Sequence, residues 1–335
     1  MKVLFIAEAG VNHNGNLSIA KQMVRVAKKS GADFIKFQTY DCDHLLLPDT
    51  KKALYQIRNT KKKKESQYLM LKKYQLSYLD HLKIIKECKK NKIKFLSSPF
   101  DIPSIGLLKK LRLTHIKIPS GEITNYPYLK KIGRLKKKII LSTGMANLLE
   151  IENALKILIN NGTSRKNITI LHCHTSYPTK AKDVNMNSMI TIKKRFNVDV
   201  GYSDHTLGSE ASLLAVAFGA KIIEKHFTLN RKFEGPDHAA SSTPVELKKI
   251  IFSLKRMKKM FGNFNKTPTK EEKKNIKIVR KSIYVKKKIL KGEKFTEKNI
   301  ITLRPQKGIS ANKWFKILNK KSKKDYLPGS IIEKN

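Results

Sequence analysis

The sequence predicts a (β/α)8 barrel, the TIM-barrel architecture, followed by a small β-rich domain. Three observations carry this. Eight short apolar stretches alternate with helical patterns through the first three quarters of the chain. Reactive side chains stand at the C-terminal end of nearly every stretch, where barrels of this kind place their active residues. Near Phe261 the alternation stops and short β-like pieces with turns take over.

The predicted strands are Val3–Ala7, Asp33–Phe37, Ile93–Ser97, His115–Ile118, Lys138–Ser142, Ile168–Cys173, Val198–Tyr202 and Lys221–Lys225. Helical patterns over Leu17–Lys29, Tyr78–Lys90, Ile102–Leu111, Leu148–Asn160 and Ser209–Gly219 separate them. Eight β-then-α units in this length fit a closed barrel better than an open sheet. No GxGxxG follows the first strand and no Walker-type loop occurs, so dinucleotide and P-loop readings lose their support. This assigns residues 1–262 to the barrel and 263–281 to a linker with a short charged helix around Lys270–Arg280. Residues 282–335 form the small domain, with β-like pieces at Ser282–Val285, Ile289–Glu293, Ile300–Leu303 and Gly308–Ser310.

The composition narrows the function. With 335 residues, 40% of them hydrophobic, the chain can bury a sizeable core. Cys42, Cys88 and Cys173 share no CxxC spacing, so a reducing compartment is expected. The apolar start, Met1–Ala7, is too short for a signal peptide, and no uncharged run reaches membrane-spanning length. A cytoplasmic protein without a membrane partner is the expectation. Its 71 Lys and Arg against 26 Asp and Glu give a net charge of +45. That excess suits nucleic-acid binding. However, the lysines are spread through every segment, and no basic strand is rich in aromatics for base stacking. No nucleic-acid partner is expected, and a nucleic-acid binder stays as the remote alternative.

The strand ends supply a catalytic mouth. Glu8 precedes Gly10-Val11-Asn12-His13; Lys36 and Gln38 belong to the second strand; Ser98 ends the third. Lys117, Ser120 and Glu122 follow on the fourth, Ser142 on the fifth, His172, His174 and Tyr177 on the sixth, Ser203 and His205 on the seventh, and Glu224 and His226 on the eighth. Lys36 and Lys117 are cations inside apolar strands, and an unpaired buried ammonium costs several kcal/mol. Each needs an anionic partner, either a protein carboxylate or a bound phosphate or carboxylate; a Schiff-base lysine is a third reading. The hydroxyls at four strand ends favour phosphate. His205 and His226 close neighbouring strands and so can hold a divalent metal, with Glu122 or water completing the shell. His172 and His174 leave a metal-dependent hydrolase as a competitor. Ser203-Asp204-His205 is no nucleophile triad, because adjacent strand residues diverge.

The motifs EAGVNHNG (Glu8–Gly15), FIKFQTY (Phe34–Tyr40), FLSSPFD (Phe95–Asp101), KIPSGEITNYPYL (Lys117–Leu129), ILSTGMA (Ile140–Ala146), GYSDHT (Gly201–Thr206), IEKHFTL (Ile223–Leu229) and GPDHAAS (Gly235–Ser241), in this order, resemble the sialic acid synthase family. VRKSI (Val279–Ile283) and LRP (Leu303–Pro305) resemble the antifreeze-like (SAF, β-clip) domain of those enzymes. The resemblance implies a transferase that condenses phosphoenolpyruvate with an N-acylated amino sugar. N-acetylmannosamine, giving N-acetylneuraminate, is the first expectation. The diacetamido-trideoxy sugar leading to legionaminic acid is the alternative. It further implies that Lys36, Ser98, Lys117, Ser120, Ser142, Tyr177 and Ser203 hold phosphoenolpyruvate, and that His205 and His226 bind manganese or magnesium. Glu122 and Glu8 would be catalytic, with Glu8 orienting the open-chain sugar alongside Gln38 and Asp237. Arg304 would meet the N-acyl group across a homodimer with swapped small domains. His174, Lys307 and Leu54 depart from the family's usual residues.

Overall fold

The computed structural model describes residues 3–333, and the chain divides into two compact units, Met1–Gly262 and Asn263–Asn335. The first is an eight-stranded, all-parallel barrel. Its strands are β1 (Leu4–Gly10), β2 (Phe34–Thr39), β3 (Lys94–Pro99), β4 (His115–Ile118), β5 (Lys138–Ser142), β6 (Ile168–Cys173), β7 (Asp199–Asp204) and β8 (Ile222–His226). They pair in the order β3-β2-β1-β8-β7-β6-β5-β4. Chain neighbours are therefore sheet neighbours, and β1 lies between β2 and β8 as ring closure requires. Among the described residues no ladder joins β3 to β4. There the Tyr128 hydroxyl, on the helix after β4, donates to the Pro99 carbonyl at the end of β3 (2.7 Å).

Side-chain alternation builds the site. A small apolar plug of Ile6, Phe34, Leu96, Ile140, Leu171 and Ile222 fills the barrel interior. Two residues later, on the same face of each strand, stand Glu8, Lys36, Ser98, Ser142, Cys173 and Glu224. The plug leaves no spare room: a Cβ on Gly201 would lie 2.6 Å from Leu171 Cδ2 and 2.4 Å from the Ile222 carbonyl. The opposite faces pack against the helices in the main core, which includes Phe5, Ile35, Phe37, Leu129, Ile170 and Leu247.

Helices start where short polar side chains can cap them. Asn16 accepts from the backbone of Ser18 and Ile19, and Thr243 with Glu246 forms a capping box for Pro244–Met260. β1 runs three residues beyond its expected end. A bulge between Glu8 and Gly10 and the left-handed φ of +53° at Gly10 terminate it. The structure also contains helices that strand-and-helix periodicity did not single out: Cys42–Leu45, Leu54–Thr60, Gln67–Lys72, Tyr126–Arg134, Asn187–Phe196 and Pro244–Met260.

The second unit contains a helix, Lys270–Val279, and an antiparallel pair, β9 (Ser282–Val285) and β10 (Ile300–Leu303), over a core of Ile283, Val285, Ile289, Phe295, Ile300, Ile309 and Ile332. The expected β pieces at Ile289–Glu293 and Gly308–Ser310 are reduced to single bridges, Ile289 with Tyr326 and Ser282 with Ser310. Gly292 and Gly308, both at positive φ, turn the chain before a ladder can extend. Among the described residues no helix is long and apolar enough to cross a membrane.

Candidate active site

Four charged side chains form the floor of the mouth, each at most 4% exposed: Glu8, Lys36, Lys117 and Glu224. Lys36 Nζ lies 3.4 Å from Glu8 Oε1 and 3.2 Å from Glu224 Oε1, and Lys117 Nζ lies 3.4 Å from that same Glu224 oxygen. The serines extend the network. Lys36 donates to Ser98 Oγ (3.2 Å), Lys117 to Ser142 Oγ (2.6 Å), and Ser203 Oγ to Glu224 Oε1 (3.1 Å). The buried ammonium groups therefore do have carboxylate partners. One of these, Glu224, was named at its strand end but given no role by sequence reasoning. The signal was available: two buried lysines require more counter-charge than Glu8 alone.

The four groups do not share charge evenly. Burial opposes ionisation of Glu224, but Lys117 and Lys36 outweigh it and hold the carboxyl down at about 2. Burial pushes Glu8 up to about 7, against the pull of Lys36. Burial also disfavours the Lys36 ammonium, yet Glu224 and Glu8 hold it above its ordinary value, whereas Lys117 is lowered because burial exceeds what Glu224 restores. The floor thus holds one firm ion pair, Lys36 with Glu224. Lys117 and Glu8 are more easily neutralised, and their charges respond to whatever binds above them.

Beside the floor, the His205 and His226 rings lie 5.3 Å apart, centroid to centroid, and Tyr177 packs 4.2 Å from His205. His205 Nδ1 donates to the His174 carbonyl. This leaves its Nε2 lone pair free. His226 Nδ1 is buried with no partner. Burial drives both imidazoles to lower pKa, His205 to about 4, and their proximity lowers His226 further, so both are neutral near pH 7. Two neutral imidazoles, one with an orphaned nitrogen, fit a divalent cation. Among the described residues no three His, Cys, Asp or Glu side chains converge as ligands, so water or substrate would fill the other positions. Glu8 Oε2 and Glu224 Oε2 are likewise buried without partners. Clustered orphans of this kind mark a place for a ligand.

A cavity of about 300 Å³ opens above these groups. It brings together Glu8, Lys36, Gln38, Lys117, Ser120, Ser142, Tyr177, Ser203, His205, Glu224, His226 and Asp237. Other sequence-predicted residues stand apart. Ser98 sits behind Lys36 and does not line the cavity. Glu122, on the single turn Ser120–Glu122, accepts from Asn125 (2.7 Å) and does not line it either. His172 and His174 line a neighbouring depression, with His172 Nε2 tied to the Val184 carbonyl (2.8 Å). Arg304 is exposed on the second unit, just past β10.

Asp237 has no charged partner, and burial pushes it from 3.8 up to about 6. A carboxyl whose folded pKa is raised costs nothing below the unfolded value; the cost grows as pH rises from there to about 6 and is fully present above it. Asp237→Asn should therefore stabilise the chelator-treated protein at pH 8 by up to about 3 kcal/mol. The gain should vanish as pH falls below 4. Thermal unfolding across that range checks this, and a gain that grows towards acid would contradict it.

The sequence matches the NeuB family over residues 23–266 and the SAF domain over residues 280–335. The chain is 51% identical over 331 residues to the N,N'-diacetyllegionaminic acid synthase of Campylobacter jejuni subsp. jejuni serotype O:2, covering 99% of each chain. It is 40% identical over 335 residues to the N,N'-diacetyllegionaminic acid synthase of Legionella pneumophila subsp. pneumophila, covering 99% of this chain and 94% of that one. Among solved structures it resembles the N-acetylneuraminic acid (sialic acid) synthetase of Leptospira borgpetersenii serovar Hardjo-bovis in complex with citrate. The TM-score is 0.71 at 33% identity, over 82% of this chain and 90% of that chain. By its match across most of the barrel and its likeness to these enzymes along nearly the whole sequence, the chain belongs to the NeuB family and includes a SAF domain.

Proposed function

We propose that the chain is an N,N'-diacetyllegionaminate synthase. It would condense phosphoenolpyruvate with 2,4-diacetamido-2,4,6-trideoxymannose and water, releasing phosphate. The observation that carries this reading is the 51% identity, spanning 99% of both chains, with a relative of that name, against 33% for the N-acetylneuraminic acid synthetase. The sugar expected first from the motifs, N-acetylmannosamine, becomes the second reading.

The arrangement of charges suits this chemistry. Lys36 and Lys117, braced by Ser98 and Ser142, neutralise the anionic end of phosphoenolpyruvate, and Ser120 and Ser203 add hydroxyls at its edge. The His205–His226 pair would hold manganese or magnesium, which when bound supplies Lewis-acid polarisation of the sugar aldehyde. Gln38 and Asp237 orient the sugar from the cavity wall. Of the two candidate acids, Glu8 suits proton transfer better than Glu122. It lines the cavity, burial brings its pKa up to about 7 so that it can both give and take a proton near neutrality, and its Oε2 is uncommitted.

The test is a direct comparison with manganese and phosphoenolpyruvate, reading phosphate release and product mass. The trideoxy sugar should give a kcat/KM roughly tenfold or more above that of N-acetylmannosamine. The reverse order would replace this reading with an N-acetylneuraminate synthase.

A further inference from the structure

The cavity has a roof as well as a floor. Residues 42–72, between β2 and the helix before β3, form a strap of three short helices across the mouth. Tyr55 stacks on Tyr177 with centroids 4.9 Å apart, Arg58 donates to the Tyr177 carbonyl (3.3 Å), and Asn59 donates to the Pro236 carbonyl (2.6 Å). The strap is thus tied to the loops after β6 and β8.

The strap's inward face contrasts with its composition. It carries seven lysines and Arg58, yet none of them lines the cavity. Lys52 is tucked away on Glu65 (3.0 Å) and Thr60 (3.1 Å). The strap instead presents Leu45, Leu46 and Leu71, flanked by Tyr55 and the amides of Gln56 and Gln67. Leu45 and Leu71 belong to a separate apolar cluster with Val11, Tyr40, Cys42 and Phe100, and this cluster reaches the cavity through Val11 and Phe100 as well. In a chain of net charge +45, a roof of leucines, a tyrosine and neutral amides does not follow from bulk composition. Among the described residues, the only lysines or arginines lining the cavity are Lys36 and Lys117 on the floor, already committed to one anion.

We propose that this strap sets sugar specificity: it reads the end of the acyl amino sugar farthest from the aldehyde, requires it to be uncharged, and favours a methyl there over a hydroxymethyl. The inference rests on the condensation proposed above. The aldehyde carbon must meet the enol on the lysine floor, so the opposite end of the open chain faces the roof. A methyl against Leu45 and Leu71 loses only water. A hydroxyl pressed against the leucines is desolvated and must reach sideways to the Gln56 or Gln67 amide, and a phosphate would be desolvated without a cation.

The experiment measures kcat/KM in the full-length protein with manganese for three sugars: the trideoxy diacetamido sugar, N-acetylmannosamine and its 6-phosphate. Wild type should use the 6-phosphate at least roughly 10³-fold less well than N-acetylmannosamine. Leu71→Gln and Leu45→Gln should each lower the trideoxy-to-N-acetylmannosamine ratio by roughly tenfold, with the KM for phosphoenolpyruvate within twofold of wild type. Equal or better use of the 6-phosphate by wild type would overturn the proposal without any variant. So would a ratio unmoved in both variants. If wild type prefers N-acetylmannosamine but the ratio still shifts, the substrate reading fails and the strap's role stands. If wild type prefers the trideoxy sugar and the ratio does not shift, the opposite holds.

Discussion

Lys117→Ala should raise the KM for phosphoenolpyruvate by roughly 10²–10³-fold, as expected for loss of a buried charge-assisted contact. The ammonium is 2.6 Å from Ser142 Oγ and 3.4 Å from Glu224 Oε1. Removing it takes away half of the cavity's lysine charge and leaves Glu224 to Lys36 and Ser203 alone. The variant should also lose stability, because breaking one partner from a buried ion network costs about 3–5 kcal/mol. The two effects separate in a double variant. Lys117→Ala with Glu224→Gln should recover much of the thermal stability but none of the phosphoenolpyruvate affinity. An unchanged KM in the single variant would remove Lys117 from the substrate site. Full recovery of affinity in the double variant would mean that its role is structural.

His226→Ala should abolish turnover, with kcat at least roughly 10³-fold lower, while leaving the metal-free fold nearly intact. His226 Nδ1 is a buried group with no partner, and the ring faces a cavity. Deleting it removes an unsatisfied group, so stability should change by no more than about 1 kcal/mol. His205→Ala should give the same kinetic loss. Its imidazole is anchored to the His174 carbonyl, so a larger stability change accompanies it. Manganese content after desalting, measured on both variants, is the direct readout. A variant that keeps stoichiometric manganese and full activity would sink the assignment of the pair as ligands.

Much of the barrel could be read from the chain because its strands carry two signals at once. His115–Ile118, Lys138–Ser142 and Ile168–Cys173 coincide with the observed strands. Each is a short, mostly apolar run with a reactive side chain at or one residue before its mouth end, namely Lys117, Ser142 and Cys173. The strap was not visible in the same way. In Leu54–Thr60 and Gln67–Lys72, separated by Lys61–Lys64, the apolar face is only one turn long, too short for a helical period to register. Tyr126–Arg134 was hidden inside a motif, although Pro127 in the first turn was a fair start signal. Thr243 with Glu246 ahead of a long helix was a capping box that could have been used. In the site, Lys36 and Lys117 announced that anionic partners were needed, from the protein or from a bound ligand. They could not say that one oxygen of Glu224 serves both lysines, since that depends on register between β2, β4 and β8. Glu122 sits one turn past its strand, and sequence spacing alone could not show that its carboxylate is committed to Asn125 rather than to the cavity.

The break in pairing between β3 and β4 has a mechanical consequence. Seven of the eight junctions around the ring are laced by backbone bonds and resist shear. The eighth is held by side chains and by the Tyr128–Pro99 contact. Strain from filling the mouth is therefore relieved at one zip line, and the strand bordering it is the one that bears Lys117. On its β3 side β4 can yield to an incoming anion without breaking a backbone bond, while its ladder to β5 holds the other side, much as a split ring tightens on a shaft. Its amides, Ile116 to Ile118, should then exchange with deuterium ahead of those in β7 and slow markedly once ligand is bound.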